Sequence, residues 1–312
     1  MKTGRTIVFF ALGLAAPLAL PIGAVLPKAG DRPRLSIVAT IFPLAEFARE
    51  IAGDRAAVDL LLPPGADVHT WQPRVSDVRR IETADLLLSI GQGLEPWLED
   101  LVKGTPSARF IRLEASHGLE LINAAGENSP ADHEHGRVDP HVWLDFGNDE
   151  KIGAALAAAL TRLDPEGGPL FARRAEALRD RLRRLDADFS RALGPCKGRR
   201  FLLAGHAAFA YLARRYGLIQ TALYGASPDA APTPRELARA ISRAREEGVK
   251  TVFFEPSTGD KAARLIAAEV GADVLLLHPG HAVDPALLKA GATFFTLMRQ
   301  NLENLRHGLG CR

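Results

Sequence analysis

The run Leu35-Ser36-Ile37-Val38-Ala39-Thr40-Ile41, followed closely by Pro43-Leu44-Ala45-Glu46-Phe47-Ala48-Arg49-Glu50-Ile51-Ala52, decides the fold class. A short apolar run rich in β-branched residues reads as a buried strand, and the residues after Pro43 place apolar side chains at helical spacing. The alternation continues with strands over Val58 to Leu62, Asp85 to Ile90 and Arg109 to Leu113, and helices over Ser76 to Thr83 and Glu95 to Val102. Strands separated by helices need crossover connections, which predicts a mainly parallel sheet.

A helix is expected from Asn148 to about Leu163, with Asn148 as its N-cap. Phe171, Ala175, Leu178, Leu182, Leu185, Phe189 and Ala192 then recur at spacings of three and four, with Arg173, Arg174, Arg179, Arg181, Arg183 and Arg184 on other, solvated faces. This is one long amphipathic helix, ended by Gly194-Pro195. Strand and helix alternate again afterwards: strands over Phe201 to Ala204, Ile219 to Tyr224, Thr251 to Glu255 and Val274 to Leu277, and helices over Ala207 to Tyr216, Pro234 to Glu247, Asp260 to Val270 and Pro285 to Arg306. Thr233-Pro234-Arg235-Glu236 has the makings of a capped helix start.

The expected architecture is α/β: two lobes with mainly parallel sheets flanked by helices, joined by one long rigid helix. The expected boundaries are a signal peptide 1–29, an N-terminal lobe 30–163, a linker helix 164–195 and a C-terminal lobe 196–312. A chain of 312 residues exceeds the size at which single cores stop growing, so two cores are expected. A continuous helix between lobes resists wide hinge bending, because bending breaks backbone hydrogen bonds. No residue-level repeat relates the lobes.

Lys2 and Arg5 precede the apolar run Ile7 to Ala16, then Pro17, Pro21 and small residues, the layout of a secretory signal peptide. The run is also long enough for an uncleaved anchor, which stays open as a second reading. No Cys lies near it, so a soluble periplasmic product is expected rather than a lipid-anchored one. Removing residues 1–29 takes away Lys2, Arg5 and Lys28 and no acid, so the formal charge falls from +2 to −1. A nearly neutral chain has no electrostatic footprint for nucleic acid. Cys196 and Cys311 are the only cysteines, and in an oxidising compartment they form either a disulfide or two separate thiols.

Four histidines stand at strand ends or on proline-containing loops. His69 follows Pro63-Pro64-Gly65-Ala66-Asp67-Val68, and His141 lies in Asp139-Pro140-His141-Val142-Trp143-Leu144-Asp145. His206 follows the strand ending at Gly205, and His278 ends another strand before Pro279-Gly280-His281. Imidazole is the commonest protein ligand for transition metals, and strand ends are where open α/β sheets place their ligands. These residues point to a transition-metal site in the cleft between the lobes. Asp67, Asp139, Asp145 and Glu255 are candidates to accept the second imidazole N–H or to screen the ion's charge. In the turn-rich loop Gly126 to Gly136, His133 and His135 are either weak accessory ligands or solvated residues with no specific role.

The segments Val38 to Leu44, Leu62-Pro63-Pro64-Gly65 with His69, Ala84 to Trp97, Asp139 to Asp145, and Gly205 to Phe209 with Tyr216-Gly217-Leu218 resemble the periplasmic zinc/manganese-binding proteins of ABC importers. The resemblance runs from about residue 35 to the C-terminus. It implies a solute-binding protein, not an enzyme, that captures Zn(II) as transported cargo and delivers it to permease and ATPase subunits, acting as a monomer. His69, His141 and His206 match the family's first three ligands. Manganese members often carry Glu where His206 stands, which leans toward zinc.

Much of the family has Asp in an Asp-Pro motif as fourth ligand, where this chain has His278-Pro279. Either His278 is the fourth ligand or it swings away and water or His281 completes the shell. An all-nitrogen site disfavours manganese and favours zinc, with copper and nickel as competitors. A zinc hydrolase with Glu255 as base is the rival of another class, but no His-Glu-x-x-His helix or Gly-x-Ser-x-Gly elbow supports it.

Overall fold

The computed structural model describes Met1 and residues 34–105, 109–123, 138–223 and 232–311. The signal-peptide reading, His133 and His135 lie outside them.

In chain order the first lobe comprises β1 (Leu35–Ala39), α1 (Phe42–Ala52), β2 (Ala56–Leu60), α2 (Val75–Glu82), β3 (Leu86–Ser89), α3 (Leu98–Lys103) and β4 (Ile111–Glu114). Two helices follow, α4 (Phe146–Leu163) and the long α5 (Gly168–Leu193). The second lobe comprises β5 (Arg200–Leu203), α6 (Ala210–Tyr216), β6 (Ile219–Ala222), α7 (Pro234–Glu246), β7 (Thr251–Phe254), α8 (Lys261–Val270), β8 (Asp273–Leu276), α9 (Pro285–Lys289) and α10 (Phe294–Gly308).

Both sheets are wholly parallel among the described residues, in the orders β2-β1-β3-β4 and β6-β5-β7-β8. The lobes therefore share a topology although no residue repeat links them. In each, the strand order reverses between the two central strands, and that switch point opens a crevice at the strand C-termini. In the first lobe Thr40 donates to the buried Glu95 across it at 2.6 Å, and in the second His206 meets Glu255.

Four expectations shift. Glu95 does not begin a helix: its carboxylate folds back onto the Ile90 and Gly91 N–H groups at 2.8 and 3.0 Å, and α3 starts at Leu98. The α4 cap is Asp145 rather than Asn148, with Asp145 accepting the Gly147 N–H at 2.9 Å. Residues 206–209 form a turn, closed by Ala208 N–H to the His206 carbonyl at 2.8 Å, so α6 starts three residues late. The last helix is broken into α9 and α10 at Gly291, whose φ of +82° no helix tolerates. The Thr233–Glu236 capping box forms as read.

One main core spans both lobes, with a smaller one beside it, instead of two of ordinary size. Phe47 of α1 and Phe146 of α4 both meet Phe294 of α10 edge-on, with centroids 5.2 and 6.3 Å apart, and Phe189 of α5 stacks on Tyr216 of α6 at 5.2 Å. The smaller second core, with Val252 and Ile266, lies around the second sheet. The physical reason is α5: its buried stripe packs on α1 and α4 and also on α6 and α10, so the lobes share their central helix. Arg181 of α5 reinforces this, pairing with Glu50 at 2.5 Å and lying 3.9 Å over the Phe295 ring. Cys196 and Cys311 are joined as a disulfide.

Candidate metal centre

His141 precedes a single 3-10 turn, Val142–Leu144, and its ring is fixed from behind: Asp139 accepts both its backbone N–H and its Nδ1–H at 2.8 Å. His206, just past β5, is held the same way by Glu255, just past β7, at 2.6 Å for the backbone N–H and 2.7 Å for Nδ1. With both Nδ1 atoms donating to carboxylates, both Nε2 atoms carry lone pairs, and these face each other at 3.1 Å. Two lone pairs so placed repel unless a cation or proton sits between them. A tetrahedral zinc site with Zn–N near 2.05 Å would separate its nitrogens by about 3.3 Å, close to this spacing.

His69 completes a cluster in which one ligand atom of each of His69, His141 and His206 lies within 4.8 Å of the others. Its loop is tethered twice. Asp67 accepts the His69 backbone N–H at 2.9 Å, and the Trp97 indole donates to the Val68 carbonyl at 2.9 Å while packing edge-on against Trp71. The His69 Nε2 is buried and has no hydrogen-bond partner among the described residues. Burial first, then the neighbouring His281 and His206 imidazoles, hold the His69 ring down to about 3 against the opposing pull of Asp67. Burial and the same kind of crowding hold His141 well below the ordinary imidazole range. His69 and His141 are therefore neutral at physiological pH.

His281, not His278, joins the three. The His281 ring centroid lies 6.0, 6.4 and 5.9 Å from those of His69, His141 and His206, and both its nitrogens are buried without hydrogen-bond partners among the described residues. Its Nε2 stands 3.6 Å from Asp67 Oδ2. His278 is tied elsewhere. Its Nδ1 accepts the Gly280 N–H at 2.9 Å, which leaves the ring hydrogen on Nε2, a buried atom without a hydrogen-bond partner among the described residues. Asn301 of α10 fixes the His278 backbone at both N–H and C=O, each at 2.7 Å. In this arrangement His278 builds the turn that presents His281.

Of the four expected carboxylates, Asp139 and Glu255 meet imidazoles, and Asp67 holds the His69 backbone and stands beside His281. Asp145 does not take part. It caps α4 and binds Arg215 at 2.6 Å, an arginine distant in sequence whose charge captures it. The sequence reading passed over Trp97, Trp143, Tyr211 and Asn301, which hold the ligand loops through main-chain carbonyls and amides. Trp143 donates to the Pro279 carbonyl at 2.7 Å, bridging the two lobes beside the site. An indole or phenol contact to a distant carbonyl has no local sequence signal.

The close approach of Glu255 to His206 depends on Gly205, where a Cβ would overlap the Glu255 carboxylate. Gly205→Ala is expected to push Glu255 off the His206 Nδ1 and weaken metal binding by about 10- to 100-fold, the usual cost of losing a ligand's supporting carboxylate. Metal titration of the folded variant checks this, and native affinity would contradict it. Burial also raises the Asp139 carboxyl to about 7, so it is substantially protonated below neutrality. A dication on His141 favours the ionised form, so metal uptake near pH 6 is expected to expel a proton. Affinity then falls about tenfold per pH unit on acidification below 7. Calorimetry at pH 6 in two buffers of different ionisation enthalpy reads the proton directly, and equal heats would contradict the expectation.

Two α/β lobes on a shared helix, with converging imidazoles from both, define the class: a metal-binding protein of the two-lobed solute-binding type. The chain belongs to the ZnuA family, described as zinc-uptake complex component A, periplasmic, whose model matches residues 37–308. That description is of an uptake component, not of an enzyme. The chain is 30% identical over 287 residues to the zinc-binding protein AdcA of Streptococcus pyogenes, a match covering 88% of this chain and 56% of that protein. It thus spans about half the length of the first curated relatives it matches. The high-affinity zinc uptake system protein ZnuA of Bacillus subtilis is 29% identical over 289 residues, covering 90% of this chain and 88% of that protein. The crystal structure of the Zn(II)-bound ZnuA-like domain of Streptococcus pneumoniae AdcA superposes with a TM-score of 0.77 at 28% identity, covering 89% of this chain and 99% of that one.

Proposed function

We propose that this chain captures Zn(II) between its lobes and delivers it to the permease and ATPase subunits of an ABC importer, working as a monomer in the periplasm. The ligand set in this reading is His69, His141, His206 and His281, with Asp139 and Glu255 behind two of them. Residues 1–29 act as a signal peptide, and 30–163, 164–195 and 196–312 act as lobe, linker and lobe. The observation that carries the reading is the facing pair of imidazole lone pairs at 3.1 Å, an arrangement that a dication stabilises. Family membership supports the transport role.

Four imidazoles add no negative charge to the site, which favours zinc over manganese, magnesium and calcium. Competition of Zn²⁺ against Mn²⁺ for the metal-free chain tests this. Tight, zinc-selective, reversible binding of one ion is expected. A preference for Mn²⁺ would overturn the cargo, and no binding of either ion would overturn the function.

A further inference from the structure

His141 and His206 belong to different lobes, yet their Nε2 atoms stand 3.1 Å apart with like-charged lone pairs facing. Repulsion between them acts to part the lobes unless a cation or proton sits between them. Contacts away from the rings must hold the pair.

Two side chains of α6 make those contacts. Tyr211, fully buried, donates its hydroxyl to the Asp139 carbonyl at 2.9 Å, two residues before His141, and accepts the Ile122 N–H at 3.1 Å. Arg215 sets Nη1 on Asp145 at 2.6 Å, four residues after His141. Its Nε and Nη2 take both oxygens of Asp186 on α5, at 2.6 and 2.7 Å, and Tyr216 donates to the same carboxylate at 2.7 Å. One short helix thus grips the segment carrying His141 on both sides, and that helix begins four residues after His206. The Asp186 fork anchors the grip to α5, the helix both lobes share.

We propose that Tyr211 and Arg215 are positioning residues for metal capture, holding His141 and His206 as a preassembled ligand pair across the lobe boundary. The proposal rests on the metal-binding reading above. Ligands already held at bonding distance lose little freedom on binding, so affinity is gained without a new metal contact. The bidentate arginine–carboxylate geometry gives the grip direction as well as strength.

The test uses the full chain, stripped of metal, with Tyr211→Phe, Arg215→Gln, Arg215→Lys and, as control, Arg183→Gln, which breaks an exposed pair with Glu150 away from the site. Zinc affinity by chelator competition, the visible spectrum of the Co²⁺-loaded protein and metal-free thermal unfolding are measured for each. Tyr211→Phe and Arg215→Gln are expected to weaken zinc binding by about 10- to 100-fold and to dim the Co²⁺ d–d bands as the ligand geometry loosens. Arg215→Lys recovers part of both, and Arg183→Gln changes neither. A merely structural role lowers the melting temperature and leaves zinc affinity and Co²⁺ bands intact, which would overturn the proposal. Should Arg215→Gln fail to fold, Tyr211→Phe decides alone, since it removes one oxygen and keeps the ring. If the unaltered chain binds no zinc, the metal reading falls and this proposal with it, whereas native binding in the folded variants removes only the proposal.

Discussion

Zinc affinity is expected to fall about 100-fold in His281→Ala and to hold in His278→Asn. Apparent free energies for structural zinc are about 10–16 kcal/mol, so one ligand in four accounts for about 3 kcal/mol, or about 100-fold. His281 is the residue whose ring stands within 6.4 Å of the three clustered imidazoles, with both nitrogens buried and unpartnered among the described residues. His278 spends its Nδ1 lone pair on the Gly280 N–H, and an asparagine there can make the same turn through its side-chain carbonyl. His278→Ala removes the turn's acceptor and is expected to fall between the two, because His281 is then aimed less well. Chelator competition on the three variants gives the order. The reverse order, with His278→Asn crippled and His281→Ala intact, would mean that the Gly280 turn opens on metal binding and His278 becomes the ligand.

The contrast between these two histidines shows what a linear reading can and cannot reach. Alternating apolar runs made the α/β lobes legible, because burying a parallel sheet on both faces demands that pattern whatever the exact residues. The same logic explains how both sheets share one strand order without a residue repeat: topology constrains the apolar pattern, not identities. His69, His141 and His206 were legible as strand-end or proline-braced imidazoles, and Asp139 as the carboxylate two residues from its ring. Glu255 could be read only as an acid at a strand end. Its pairing with His206 follows from β5 lying beside β7, and strand adjacency leaves no local mark. The choice between His278 and His281 stayed open in the sequence for a similar reason. Gly280 adopts a φ of +87°, turning the chain so that His281 faces the cluster and His278 does not. Asp145 was misplaced because Arg215, 70 residues later, claims it.

Breaking the Cys196–Cys311 disulfide is expected to lower stability by about 3 kcal/mol, or about 5 °C in melting temperature for a chain of this size, and to leave zinc affinity unchanged. The bond spans 115 residues, so its removal returns the closure entropy of a long loop to the unfolded chain. In the native state it fastens the tail beyond α10 to the segment leaving α5, where Gly198 N–H also meets the Leu309 carbonyl at 3.3 Å. Losing it frees the last turn of α10. Fraying should stop at Leu305, which is fully buried, one turn short of Asn301 and its grip on His278. The bond therefore acts on the lobe and not on the metal. Calorimetry and zinc titration of the Cys196→Ser/Cys311→Ser double variant separate the two effects. A melting shift under about 2 °C would deny the bond its stabilising role. Zinc affinity falling in step with stability would instead show that α10 transmits its loosening through Asn301 to the His278–His281 turn.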